Sequence, residues 1–364
     1  MDLSAIPAIS ADAHVDEPHD LWFTRLPERL RDRAPRRIQA DDGGGWTLVV
    51  DNNEIGWSGM SAEDARAKEE ERVAAAAPEV RLEMMRTDHI NAEVIYPTIG
   101  LYAWNVADPE VGRASCEVYN DWIHERLGGH PRIKLAAMVP TWDVAMAIAE
   151  VNRVAAVPSV AGLLLPLVGT PSWNLPDWEP LWEAISATGK PVLMHQGTGH
   201  DMLFYRGWGS PTANLLSTQS MAPRAVALLS CSGVLERHPG LRVVLVEVNA
   251  GWMAWTMSTL DEYYQAHRVW SKPVLAELPS RYIQRQVHAT FQNDPVAVHN
   301  MALTGPDCLM WGNDYPHPES TYPDSQRVLR SLLQEVPAEQ SAAVLNGNAQ
   351  RVFNFAPSVL HRMP

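Results

Sequence analysis

The chain has 364 residues, with 29 Lys and Arg against 43 Asp and Glu, for a formal net charge of −14. That balance supplies no basic footprint for a phosphate backbone and excludes nucleic acid as a partner, while 46% hydrophobic and 20% charged residues exclude a natively unfolded chain. Cys116, Cys231 and Cys308 lack the even count and close spacing of a disulfide framework, and no apolar run reaches the roughly 18 residues of a membrane span.

The first residues, MDLSAIPAIS, carry no basic stretch followed by an apolar one, so the expected compartment is the cytoplasm. Eight short apolar runs then recur down the chain. They cover Ile6 to His14, Ala92 to Thr98, Ile133 to Pro140, Val160 to Leu167, Pro191 to His195, Leu241 to Val248, Gln286 to Phe291 and Cys308 to Asp314. Their hydrophobicity is continuous rather than alternating, as in strands covered on both faces. Helical spacing fills the gaps: Pro109 to Leu127 stops at Gly128-Gly129, and Trp178 to Ala187 stops before Gly189. Eight strand-helix units predict an α/β fold, a (β/α)8 TIM barrel, with one domain over 1–364. A doubly wound sheet competes, but no G-x-G-x-x-G turn follows the first run.

Residues 18–90 interrupt the rhythm as an insertion after strand 1. It reads as a hairpin, Trp46 to Val50 with Glu54 to Trp57, then a mixed-charge helix around Ala62 to Met85 whose face is solvated. This insertion is the expected arm of a homo-oligomer, a dimer. The tail from Ala342 reads as a closing helix.

Polar residues cluster where the runs end. Asp12 and His14 close the first run, and positions i and i+2 of a strand share a face, so both side chains enter one cavity. His195 closes the fifth run and Asp314 the eighth. Each alone is as well explained by packing or capping. Together they form a carboxylate–imidazole set, Asp12, His14, His195 and Asp314, suited to a divalent metal, because buried carboxylates are costly unless paired or metal-bound.

The order Asp12-x-His14, His195, then Trp311-Gly312-Asn313-Asp314-Tyr315-Pro316-His317 resembles the amidohydrolase superfamily, in its amidohydrolase-related branch of aminocarboxymuconate-semialdehyde and resorcylate-type decarboxylases. The similarity runs from SADAHVDEPHDLW through VLVEVNAGW to LNGNAQRVF. It implies a (β/α)8 barrel holding one divalent ion, Zn²⁺ ahead of Mn²⁺. Two departures stand out. Asp12 replaces the first His of the usual His-x-His, and Glu247 stands where many members present a strand-6 His. A carboxylate there takes a proton but brings no positive charge to a developing anion; alternatively it orients a metal ligand. Glu17 either faces the metal mouth or caps the start of the insertion.

The catalytic candidates are therefore Asp314, Glu247, Glu17 and His317, with His200 a further proton carrier or loop cap. Arg206, on the loop past the fifth run, is the candidate cation for a substrate carboxylate. Trp208 and Trp252, with Tyr102, Trp104 and Phe204, are candidate walls for a flat small-molecule substrate. Two chemistries fit. A metal can hold a substrate carboxylate while Asp314 protonates carbon and CO₂ leaves, or it can lower the pKa of water towards about 7 for hydrolysis of an amide, ester or lactone. Decarboxylation leads by the resemblance alone; a non-catalytic ligand-binding barrel is the third alternative.

Overall fold

The computed structural model describes residues 6–39, 46–55, 73–168, 171–201 and 205–361. Eight parallel strands form one sheet in the order β1 (Ile9–Val15), β5 (Ala92–Pro97), β6 (Ile133–Met138), β7 (Val160–Val168), β8 (Val192–Gly199), β9 (Val243–Val246), β10 (Val287–Phe291) and β11 (Leu309–Trp311). Each strand overlaps one of the eight apolar runs, with β1 and β7 ending one residue past theirs and β8 continuing past His195 to Gly199. Helices cover the outside, among them Pro109–Leu127, Val144–Val154, Glu179–Thr188, Ala222–Cys231 and Trp252–Ala266. This is the (β/α)8 barrel that the alternation predicts, and its strands are buried on both faces.

Local chemistry sets the helix limits. Asp108 accepts the Glu110 amide hydrogen ahead of Pro109, and Asp143 accepts that of Met146, so both helices start on a carboxylate cap. The helix Glu179–Thr188 ends on Gly189 at φ 68°, a left-handed position that suits glycine.

The barrel closes between its first strand and the turn after its last. Asp314 N donates to Asp12 O at 2.9 Å, and His14 N donates to Tyr315 O at 2.7 Å. A Cβ on Gly312 would lie 2.5 Å from the Asp12 Cβ, so only glycine permits this approach.

The insertion departs from its sequence reading in detail. Its hairpin, β3 (Trp46–Val50) with β4 (Asn53–Ile55), gains a third antiparallel strand, β2 (Arg36–Gln39). Of the mixed-charge helix, residues 56–72 lie outside the described residues, and the described part includes the helix Pro78–Thr87. That helix is anchored to the barrel by Arg81, fully buried, which donates to both oxygens of Glu93 on β5 at 2.7 and 2.9 Å and to the His14 carbonyl at 2.7 Å. The closing helix of the tail carries a π-helical turn at Ala343–Gly347 before Asn348–Val352.

Candidate metal centre

Asp12 and His14 project from β1 into the barrel, fully buried, and neighbouring elements hold β1 from several sides. The His14 peptide is gripped at both ends, by Tyr315 O on its N–H and by Arg81 on its carbonyl. The Arg81 guanidinium also lies 5.3 Å from the Tyr315 ring centre, so one buried cation braces both sides of the barrel seam.

The two imidazoles are oriented by backbone carbonyls. His14 Nδ1–H donates to Pro97 O at 2.8 Å, and His195 Nδ1–H donates to Gln196 O at 2.7 Å. With those hydrogens fixed, the neutral rings present Nε2 lone pairs to each other, 3.1 Å apart. Two lone pairs facing at that distance need a proton or a cation between them.

Carboxylates surround that point. Asp12 Oδ1 lies 3.5 Å from His14 Nε2 and 3.8 Å from His195 Nε2; Glu247 Oε2 lies 3.3 and 3.2 Å from the same atoms. Both oxygens are buried and make no hydrogen bond. Asp314 Oδ1 is 3.5 Å from His14 Nε2 and 3.1 Å from His317 Nδ1. The His317 ring stacks on His14 with centres 3.9 Å apart, and its Nε2 pairs with Thr98 Oγ1 at 3.1 Å.

The electrostatics follow from this crowding. Burial pushes the His195 pKa down, but Asp12 and Glu247 outweigh it and carry it up to about 10; His14 is raised for the same reason. Burial pushes the Glu247 carboxyl up, yet His14 and His195 hold it well below the usual range, and Asp12 is likewise lowered. The cluster therefore demands positive charge. A divalent ion meets that demand without protonating the rings. Tetrahedral bonds of about 2.0–2.1 Å place neighbouring ligands about 3.3–3.4 Å apart, close to the separations above. Asp12, His14 and His195 fit such an ion.

Backbone strain concentrates at the same mouth. Glu247, Asn249 and Asp314 take φ values of 57°, 55° and 58°, left-handed positions uncommon for residues other than glycine. Asp294 steadies the loop after β9, accepting from the Ala250 and Gly251 amides at 2.8 Å each.

Six predicted residues thus gather in one place: Asp12, His14, His195, Glu247, Asp314 and His317. Others lie elsewhere. Glu17 is fully buried, but its carboxylate accepts the amides of Thr98, Ile99 and Gly100 at 3.3, 2.8 and 2.9 Å, which caps the turn Ile99–Asn105. Burial lifts its pKa to about 7 against those hydrogen bonds. Arg206 and Trp208 are exposed, and Phe204 lies outside the described residues. Trp252 donates its indole N–H to Asn249 O at 2.9 Å, Trp104 is buried with its own on Val139 O, and Tyr102 is partly buried against the core. His200 pairs with Thr141 Oγ1 at 2.9 Å, and burial lowers its pKa to about 4.

Sequence reading missed the residues that orient the acids. Thr290, on β10, accepts the Glu247 amide at 2.8 Å and donates to Asp12 Oδ2 at 3.3 Å. Gln196 donates its side-chain amide to Glu247 Oε1. Tyr96 packs its ring 5.4 Å from that of His195 and buries a hydroxyl that makes no hydrogen bond. The available signal was position, since Gln196 follows His195 and Thr290 nearly ends its run.

The fold is shared with solved proteins. The chain aligns with a solved amidohydrolase from Mycobacterium avium subsp. paratuberculosis K-10 at 20% identity, TM-score 0.77, covering 96% of this chain and 99% of the other. It aligns with 5-carboxyvanillate decarboxylase from Sphingomonas paucimobilis at 19% identity, TM-score 0.72, covering 96% and 100%. A dihydroxybenzoic acid decarboxylase from Polaromonas sp. JS666, solved with bound manganese and 2-nitroresorcinol, gives 14% identity, TM-score 0.67, and coverage of 98% and 99%. No curated protein matches. The amidohydrolase family profile matches residues 11–355, nearly the whole chain, and the protein belongs to that family.

Proposed function

We propose that the chain is a divalent-metal-dependent enzyme that removes the carboxyl group of a small carboxylic acid, with aromatic acids the first class to test. The observation that carries this reading is the Asp314–His317 pair, 3.1 Å apart, set beside the facing imidazole lone pairs of the metal centre. The names of the solved decarboxylases of the same fold support the choice of reaction. Asp12, His14 and His195 would hold the ion, Zn²⁺ ahead of Mn²⁺; when bound, it supplies positive charge to fix the substrate's oxygens and stabilise developing negative charge.

The chain's own residues move the proton. Asp314, linked to His317, delivers a proton to the carbon that bears the carboxylate. The bond from that carbon to the carboxyl carbon then breaks, its electron pair stays with the ring or alkene, and CO₂ leaves. His317 restores the proton through its link to Asp314, with Thr98 fixing the imidazole from the far side. Burial of Asp314 keeps water from competing for the transfer.

Hydrolysis of an amide, ester or lactone is the second reading. Charge is in keeping with it: the ligating atoms that gather at the centre, among the described residues, come from acids and imidazoles, as a metal-activated water requires. Turnover of 5-carboxyvanillate, 2,6-dihydroxybenzoate and a lactone panel in ¹⁸O water separates the two. CO₂ with an unlabelled organic product is expected, and label in the organic product rejects decarboxylation.

The wider setting is part of the same proposal. Among the described residues no helix is long and apolar enough to cross a membrane, and we place a small-molecule enzyme of this kind in the cytoplasm as a dimer joined through residues 18–90. A monomeric mass in solution would remove the dimer.

A further inference from the structure

We infer that the solvent face of the helix Trp252–Ala266, with the turn that follows it, is a self-association surface whose occupant is a second copy of this chain. It is separate from residues 18–90. The helix follows β9, three strands from β1 around the closed barrel, so the two surfaces lie on different sides of the molecule.

The first observation is the pattern of exposure. Met253, Met257 and Tyr264 bury one side of the helix in the core, while Trp255 and Tyr263 stand 63% and 58% exposed on the other. Trp255, Thr259 and Tyr263 follow one another at the four-residue spacing of a single helix face. The array continues past the helix end. The His267 ring meets Tyr263 edge-on at 6.3 Å and stacks on Trp270 at 5.6 Å, and Trp270, Val269 and Val274 are 77%, 86% and 55% exposed.

The second is area. At about 150–250 Å² for each aromatic side chain, Trp255, Tyr263 and Trp270 alone leave roughly 400 Å² of apolar surface in water. Contiguous patches of that order mark interaction sites. A stable interface buries about 800 Å² on each partner, somewhat over half of it apolar, so this stripe with its two valines supplies the apolar share of one.

The third is charge. The chain carries −14, so two copies repel wherever their acids meet. On this face the charges divide: Glu262 is exposed near the helix end and Arg268 and Lys272 just beyond it, whereas Asp261 is occupied by the Ser280 amide at 2.9 Å. Antiparallel packing about a two-fold axis brings the acid of one copy to the bases of the other. The same net charge disfavours an anionic membrane as the occupant.

Sedimentation of the full chain tests the surface. Wild type should sediment as an assembly that Trp255→Lys combined with Trp270→Glu splits in half, with circular dichroism unchanged because both positions are exposed. Glu262→Arg and Arg268→Glu should each weaken association several-fold, and the two together should restore it. A contact through residues 18–90 would survive all these changes, so the two surfaces fail separately. An assembly whose mass the Trp255 and Trp270 changes leave alone is held elsewhere and overturns the inference. So does a wild type that is monomeric at its highest soluble concentration, or one that stays monomeric and binds vesicles of zwitterionic phospholipid through these residues. If the aromatic variant fails to fold, the charge exchange decides alone: no recovery in the doubly reversed protein overturns the two-fold pairing.

Discussion

The end of β1 and the segment after β8 were both expected to serve the site, yet they are built in opposite ways. Asp12 and His14 are fully buried, held by Tyr315, Arg81, Pro97 and Thr290. Arg206 and Trp208 stand in solvent, and the helix that follows them, Ser210–Gln219, buries none of its described residues. Fixed lone pairs call for a braced strand, whereas the lightly held segment suits contacts that admit and release a ligand, the role proposed for it. A hydrogen-bonded thread runs from that helix towards the centre, from Thr218 Oγ1 to Gln196 Oε1 at 3.4 Å and from Gln196 to Glu247.

Substitutions that break the braced side should dominate. His195→Ala removes a lone pair that nothing nearby replaces, so the purified protein should lose its stoichiometric metal and its turnover together. Retention of the ion would show that the facing imidazoles are not the binding point. Arg81→Met leaves Glu93 charged and buried, a loss of about 3–5 kcal/mol, measurable by urea unfolding. Full stability in that variant would mean that the insertion helix is not anchored by this pair. His317→Ala keeps the metal shell but removes the proton carrier, and kcat should fall by about 10²-fold or more with metal content unchanged.

Glu17 sharpens the comparison through pH. Its folded pKa of about 7 lies above the ordinary carboxyl value of 4.5, so between those values the folded state holds more protons than the unfolded one. This group therefore lowers stability as pH rises from about 4.5 to 7. Glu17→Gln should flatten that slope in pH-dependent unfolding, whatever its absolute stability. The smallest effect belongs to the exposed side. Trp208→Ala should shift stability by no more than about 0.5 kcal/mol, and any change it makes should appear in KM rather than in metal content.

The sequence was most readable where structure is repetitive. Buried parallel strands demand unbroken apolar runs, so all eight could be found from the pattern of apolar residues along the chain. Asp12, His14, His195 and Asp314 could be found because polar groups at the ends of such runs have one direction in which to point. Glu247 was locatable by the same logic, but its role depends on which oxygen is left without a hydrogen bond, a property of Gln196 and Thr290 brought in from other strands. Arg81 was invisible because its partners, Glu93 and the His14 carbonyl, meet only once the insertion folds back. Glu17 was assigned by proximity to the first motif, and the amides that claim its carboxylate belong to the turn after the second run.

The seam where Gly312 packs against Asp12 also dictates a timetable. Asp12 and His14 leave the ribosome about three hundred residues before the glycine and the Asp314 turn that shut the barrel around them. A nascent chain therefore carries Asp12 and His14 unenclosed for most of its synthesis, and the buried cavity around them takes shape only once the final strand and the Asp314 turn have been made.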